Sequence, residues 1–201
     1  IEPKVCYLGV DTEAFKPRAC PAEPMVLSVG ALTANKGHDF LLQGISRLPE
    51  QMRPPLVIIT NQDDPRERRY LETMAEELNV CMQVRGIVRA SDELSEWYSR
   101  STITGYTPIL EPLGLVPLEA AACEASAVGV REGGVRETIV DGLTGLLTER
   151  EPELLADALN DLLSHPEKRA EMGRQGRLRV QQNWTWDITA ARAEYYLQAA
   201  V

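Results

Sequence analysis

Hydrophobic residues enter this chain in short runs, separated by longer stretches in which they recur every three or four positions. MVLSVG (Met25–Gly30), PLVIITN (Pro55–Asn61) and CMQVRG (Cys81–Gly86) are the first three runs. Each is too short for a stable helix and is bounded by turn-forming residues, so each predicts a buried strand. Between them, Gly37–Leu48 and Asp63–Leu78 carry helical spacing, and Pro65 stands near the start of the second, where its missing N–H is harmless. Ser91–Ser99, opened by Ser-Asp, predicts a third helix. Ser101–Tyr106, Ser126–Val130 and TGLLT after the Asp141-Gly142 turn predict three more strands. Strand–helix alternation at this spacing predicts right-handed βαβ units, hence an α/β fold with a doubly wound parallel sheet of about six strands.

The tail changes character. Pro152–Ser164 places Leu154, Leu155, Ala158, Leu159, Leu162 and Leu163 on a wide apolar stripe, Pro166 restarts a second helix, and a third runs from about Thr185 to Ala200. These are extra C-terminal helices.

Composition narrows the function classes. The 201 residues are 44% hydrophobic and 25% charged, as in ordinary globular proteins, and the formal net charge of −9 argues against a general nucleic-acid or anionic-membrane binder. Cys6, Cys20, Cys81 and Cys123 are scattered, with no C-x-x-C pair, which favours a reducing, cytoplasmic setting over a disulfide framework or a zinc site. No apolar run approaches the roughly 20 residues that span a bilayer, and IEPKVCYLGVD lacks a signal-peptide pattern.

The candidate chemistry lies in ILEPLGLVPLEAAAC, Ile109–Cys123. Pro117 cannot sit deep inside a helix, so a helix is expected to start near Leu113 or Gly114. Gly114 allows close approach of a backbone or ligand. The free N–H groups of that first turn form an anion site worth roughly half a positive charge. Glu111 lies just before it, and Glu119 about six residues into the helix, roughly 9 Å along its axis. Two carboxylates flanking an anion site suit a ligand with a central phosphate and hydroxyls at both ends, such as a nucleotide sugar. The bland alternative is a solvated loop glutamate and a helix-surface charge.

E-P-L-G-L-V-P-L-E-A resembles the E-x7-E signature of retaining glycosyltransferases of family 4, also called group 1, whose GT-B architecture joins two Rossmann-like halves. The resemblance implies that Glu111 contacts the donor sugar's hydroxyls, Glu119 the ribose, and the backbone of Gly114, Leu115 and Val116 the diphosphate. VGALTANKG (Val29–Gly37) resembles the family's V-G-R-L-x-x-x-K-G loop, which gives Gly30 and Lys36 places at the diphosphate. VRGIV (Val84–Val88), with Arg85 and Gly86, matches the region that cradles the base. GGVRETIVDGLTGLL (Gly133–Leu147) resembles the G-G-x-x-E-x-I-x-x-G-x-T-G-x-L segment near the donor, with Gly133 and Gly134 allowing close backbone approach and Glu137 structural. Glu111 and Lys36 are the residues the resemblance assigns to catalysis, with no metal and no cofactor beyond the donor, a UDP-, GDP- or ADP-sugar.

CYLGVDTEAFKP (Cys6–Pro17) resembles the linker entering the C-terminal half, and NWTWD with the last helix resembles the segment that crosses back. The expected organisation is a linker over 1–20, a nucleotide-sugar-binding domain over 21–183 and a crossing helix over 184–201. The resemblance therefore implies one half of a GT-B enzyme. Its partner would be an N-terminal acceptor-binding half, through which any peripheral membrane contact would run and without which the fragment would be inactive.

Three positions depart from the family pattern. Ala31 stands where many members carry arginine, and Glu124 and Ser126 replace the glycine and proline of A-C-G-x-P. Glu124 is either an unwelcome charge beside the diphosphate or a solvent-facing residue. These departures motivate an alternative, a non-catalytic interaction module with a degenerate donor site. Other rivals lack their motifs: no G-x4-G-K-[ST] and no G-x-G-x-x-G follows the first strand. With only His38, read as a helix-start residue, and His165, a turn residue, a Ser-His-Asp hydrolase is disfavoured.

Overall fold

The computed structural model describes residues 3–86 and 91–199. Its strands are β1 (Glu23–Val29), β2 (Leu56–Thr60), β3 (Met82–Gly86), β4 (Ser101–Tyr106), β5 (Ala127–Val130) and β6 (Gly145–Thr148). Its helices are α1 (His38–Arg47), α2 (Pro65–Glu77), α3 (Ser91–Arg100), α4 (Leu115–Ala122), α5 (Val135–Thr138), α6 (Pro152–Ser164), α7 (Pro166–Asn183) and α8 (Trp186–Gln198). All six strands are parallel, in the order β3-β2-β1-β4-β5-β6. This is the expected doubly wound α/β sheet. The four-residue α5 and the 3-10 turn Ala34–Lys36 are too short to leave a periodic signal in the sequence.

Local chemistry accounts for the element ends. Every residue of β2 is buried, so it reads as an unbroken apolar run, as a strand covered on both faces should. The Asp64 side chain accepts hydrogen bonds from the Arg66 and Glu67 N–H groups, and Pro65 opens α2. Thr185 caps α8 in the same way, through Ile188.

Each sheet face buries its own layer. Leu41 and Ile45 of α1, Leu71 of α2 and Leu155 and Leu159 of α6 pack with Val26, Ile58, Ile103 and Val128. Tyr98 of α3 and Ala120 of α4 pack with Leu27, Val57 and Ile59 on the other face. α7 closes over α4 through Val180 and Leu118. The entering segment crosses the α7–α8 junction: Val10 N–H donates to the Trp184 carbonyl at 2.7 Å, and the Tyr7 ring lies 5.0 Å from that of Trp184. Among the described residues, no helix is long and apolar enough to cross a membrane.

The strand order reverses between β1 and β4. The connections leaving those strands turn to opposite faces and leave a crevice at their carboxyl ends, the general location of ligand sites in open α/β sheets.

Candidate functional site

The crevice is walled by the connection after β1 (residues 30–37) and the one after β4 (107–114). They are fastened to each other. Ile109 N–H donates to the Asn35 carbonyl at 2.8 Å, and Thr107 Oγ1 to the Gly37 carbonyl at 2.7 Å. Gly37 has φ = 67°, and a Cβ there would lie 2.0 Å from the Thr107 carbonyl oxygen, so only glycine permits this approach.

That contact brings Lys36 and Glu111 together from 75 positions apart: Nζ donates to Oε2 at 2.8 Å, with the two side chains 25% and 22% exposed. The pair sits at the crevice mouth, where it is reachable but only partly screened by water.

The second connection is held on its other side too. Gly134 N–H donates to the Glu111 carbonyl at 2.7 Å. An added Cβ would stand 2.3 Å from that oxygen at Gly133 and 2.3 Å from the Pro112 carbonyl at Gly134. The close approach at this glycine pair is thus to the Glu111–Leu113 backbone. Arg150 completes the brace: its guanidinium grips the Glu132 carboxylate at 2.7 and 2.8 Å, donates to the Thr107 and Pro108 carbonyls, and lies 5.1 Å over the Phe40 ring. Inside this frame Leu110 is held at φ = 49° and is 71% exposed. A left-handed leucine costs roughly 1–2 kcal/mol, strain of a kind found at binding sites.

Gly114, at φ = 85°, is the N-cap of α4, and no side chain caps it. Pro117, the third helical residue, has no N–H, so the backbone N–H groups of Gly114, Leu115 and Val116 are the donors this terminus offers. The Tyr106 ring forms the floor, 3.2 Å from where a Gly114 Cβ would be. Burial, then the charges of Glu111 and Glu119, push the Tyr106 hydroxyl above its ordinary range, so it stays protonated.

Glu119, the fifth residue of α4, is half-buried one turn further in. Its Oε2 accepts a hydrogen bond from the Tyr98 hydroxyl at 2.8 Å. Burial raises the carboxyl's pKa, and the Tyr98 bond opposes that rise.

Of the other expected residues, Gly30 belongs to the first crevice wall and Arg85 turns away from it. Gly30 follows β1, its N–H donating to the Ile59 carbonyl at 3.0 Å, and an added Cβ would be 3.6 Å from the Lys36 side chain. Arg85 folds back over Gln83 at 2.9 Å, toward the amino ends of the strands. Gly86 ends β3 at the sheet edge, and Ile87 and Val88 lie outside the described residues. His38 is buried: Nε2 donates to the Ala31 carbonyl at 3.0 Å, and Nδ1 accepts from Ser28 Oγ at 3.0 Å. Burial holds its pKa below the usual range, so the ring is neutral.

Two departures are resolved by position. Glu124 and Ser126 lie between α4 and β5, at the amino ends of the strands, across the sheet from the crevice. Glu124 is exposed at φ = 60°, with Oε1 3.9 Å from Arg177 Nε. This left-handed angle is one that glycine adopts freely. Ser126 is buried, and among the described residues its hydroxyl has no partner.

Tyr98, Tyr106, Thr107 and Arg150 escaped the sequence reading. Tyr98 falls on the apolar stripe of α3 with Leu94 and reads as core, while Arg150 sits in the polar run TEREPE and carries no signal.

The family model described as "Glycosyl transferases group 1" matches residues 10–179. A GDP-mannose-dependent alpha-(1-6)-phosphatidylinositol monomannoside mannosyltransferase of Mycolicibacterium smegmatis is 32% identical over 209 residues, covering 92% of this chain and 53% of the relative. Sucrose-phosphate synthase from Thermosynechococcus elongatus superposes with a TM-score of 0.87 at 26% identity, over 98% of this chain and 53% of that one. The C-terminal domain of a group 1 glycosyl transferase from Francisella tularensis, solved by itself, superposes with a TM-score of 0.76 at 24% identity, covering 88% of this chain and 99% of that domain. The chain spans about half the length of the curated relatives it matches. A parallel Rossmann-like sheet that matches GT-B C-terminal domains, together with a family match over most of the sequence, places this chain in the group 1 glycosyl transferases.

Proposed function

We propose that this chain is the donor-binding half of a retaining glycosyltransferase that moves a hexosyl-type sugar from a UDP-, GDP- or ADP-sugar to an acceptor hydroxyl. The observation that carries the reading is the convergence of the Lys36–Glu111 pair, the uncapped N-terminus of α4 and Glu119 on one crevice. The three match the parts of the donor in order. Glu111 accepts from sugar hydroxyls, Lys36 and the Gly114–Val116 amides hold the diphosphate, and Glu119 accepts from the ribose.

In transfer with retention, the bond from the anomeric carbon to the phosphate oxygen breaks as the acceptor oxygen attacks from the same face. The acceptor's proton passes to the departing phosphate oxygen. Lys36 and the helix terminus stabilise the charge that develops there, and they need no rearrangement to do so. His38 is no candidate base, since both ring nitrogens are engaged and the ring is buried.

The relative named for GDP-mannose supports the donor class and makes GDP the first nucleotide to try. About half of each curated relative lies beyond the match, which supports a second, acceptor-binding half. In this reading residues 1–20 link the halves, residues 21–183 hold the donor, and residues 184–201 cross back. The exposed Trp186, Tyr195 and Leu197 of α8, which buries no residue, suit that role. The interaction-module alternative is left with Ala31, because Glu124 and Ser126 do not face the crevice.

Calorimetric titration of the chain with GDP, UDP and ADP tests the reading. One saturable nucleotide, weakened by Glu119→Ala, is expected. If none binds to this chain or to a longer one containing both halves, the donor-site reading is wrong.

A further inference from the structure

Tyr98 is fully buried on α3 in a layer made by Met25, Leu27, Val57, Ile59, Ala120 and Ala125. Its ring centroid lies 6.3 Å from that of Phe15. Phenylalanine would fill the same space. A hydroxyl in such a layer is unfavourable unless it is paired, and among the described residues its partner is Glu119 Oε2 at 2.8 Å.

That bond occupies one carboxylate oxygen from behind and stops the group from rotating. Among the described residues, Oε1 makes no hydrogen bond. We propose that Tyr98 is a positioning residue that keeps Glu119 an oriented hydrogen-bond acceptor and thereby sets recognition of the nucleotide's ribose hydroxyls. The proposal rests on the donor-site reading above.

The chemistry requires such a device. A carboxylate accepts at both oxygens, whereas the neutral acid must donate from one of them. Burial pushes Glu119 toward the neutral form, and the Tyr98 hydroxyl opposes it. Among the described residues, the other titratable groups that feel the Glu119 charge are the Tyr106 hydroxyl on β4 and the Cys123 thiol following α4. Burial pushes both up, Cys123 to about 12, so neither supplies charge near neutral pH.

The test is Tyr98→Phe, titrated with the ribonucleoside diphosphate that the wild-type chain binds and with its 2′-deoxy and 3′-deoxy counterparts, from pH 5 to 8. The ribonucleotide should weaken by about tenfold. The counterpart lacking the contacted hydroxyl should change by less than about twofold. The loss of affinity on acidification should begin at a higher pH than in wild type. In a Glu119→Ala background, where no acceptor is left to orient, Tyr98→Phe should have no further effect on ribose discrimination. Equal weakening of ribo and deoxy forms, or an unmoved pH profile, would mean that Tyr98 is only a core residue and would overturn the proposal.

The coupling is also read without any nucleotide. The Glu119 carboxyl carbon, followed by NMR, should titrate at a higher pH in Tyr98→Phe, and an unchanged midpoint overturns the proposal. A wild-type chain that binds no nucleotide overturns the donor-site reading and the ribose role with it, whatever the carboxyl titration shows.

Discussion

Replacing Glu124 by glycine separates two roles for a position where the chain departs from its family. At φ = 60° the Glu124 Cβ crowds the neighbouring backbone, at a cost on the order of 1 kcal/mol. The backbone cannot relax, because α7 presses on it: a Cβ on Gly173 would stand 2.0 Å from the Glu124 carbonyl oxygen. Against this relief stands the lost pairing with Arg177 at 3.9 Å, where the glutamate side chain is 42% exposed. Such a contact is worth about 0.5 kcal/mol. The net gain is about 0.5 kcal/mol, a rise in Tm of roughly 1–2 °C for a domain of this size.

Nucleotide affinity should hardly move. The eight residues of α4 put about 12 Å between Glu124 and the helix N-terminus. A unit charge at that distance in water contributes about 0.3 kcal/mol before salt screening, so Kd should shift by less than about twofold. A carboxylate about 4 Å from a diphosphate would contribute on the order of 4 kcal/mol at an effective dielectric near 20. Scanning calorimetry and nucleotide titration at two salt concentrations measure both effects. Binding that tightens tenfold or more, and loses the gain in high salt, would refute the remote placement. A fall in Tm would refute the strain.

Lys36→Ala should weaken a nucleoside diphosphate by about 10- to 100-fold and leave the parent nucleoside unaffected, with Tm changing little because the ion pair it removes is part-exposed; equal losses for both ligands would count against a phosphate role. Arg150→Ala should cost about 2–3 kcal/mol in urea unfolding, since it takes both guanidinium bonds from Glu132 and frees the Thr107 and Pro108 carbonyls, and an unaltered midpoint would contradict the brace. Burial depresses the folded-state pKa of His38, so as pH falls the unfolded chain takes up the proton first. Stability should therefore be full above about pH 6.5 and decline below it, and urea unfolding between pH 8 and 5 should show this slope flattened in His38→Gln.

The strand and helix positions were legible because each rests on local chemistry. The continuous burial of β2 leaves an unbroken LVIIT run, and the Asp64-Pro65 start of α2 is a capping signal that needs no tertiary partner. Glu111, Glu119 and Lys36 stand out through their motif, and Gly114 through the mismatch of glycine and proline with a helix interior; the structure sets all four around one crevice. The reach of Arg85 was not, because a strand fixes which face a side chain leaves from but not where its far end turns. Nor was the location of Glu124: sequence proximity to Glu119 suggested the site, while the helix between them carries it to the opposite end of the sheet.

The sequence by itself therefore determined the periodicities, the caps and hence the doubly wound α/β class, since these depend on residues within a few positions of one another. Only the tertiary structure decided that Lys36 meets Glu111, that Arg150 holds the loop carrying it, and that Tyr98 stands behind Glu119. Those contacts join residues from 21 to 75 positions apart, and their geometry comes from the order in which the strands pair.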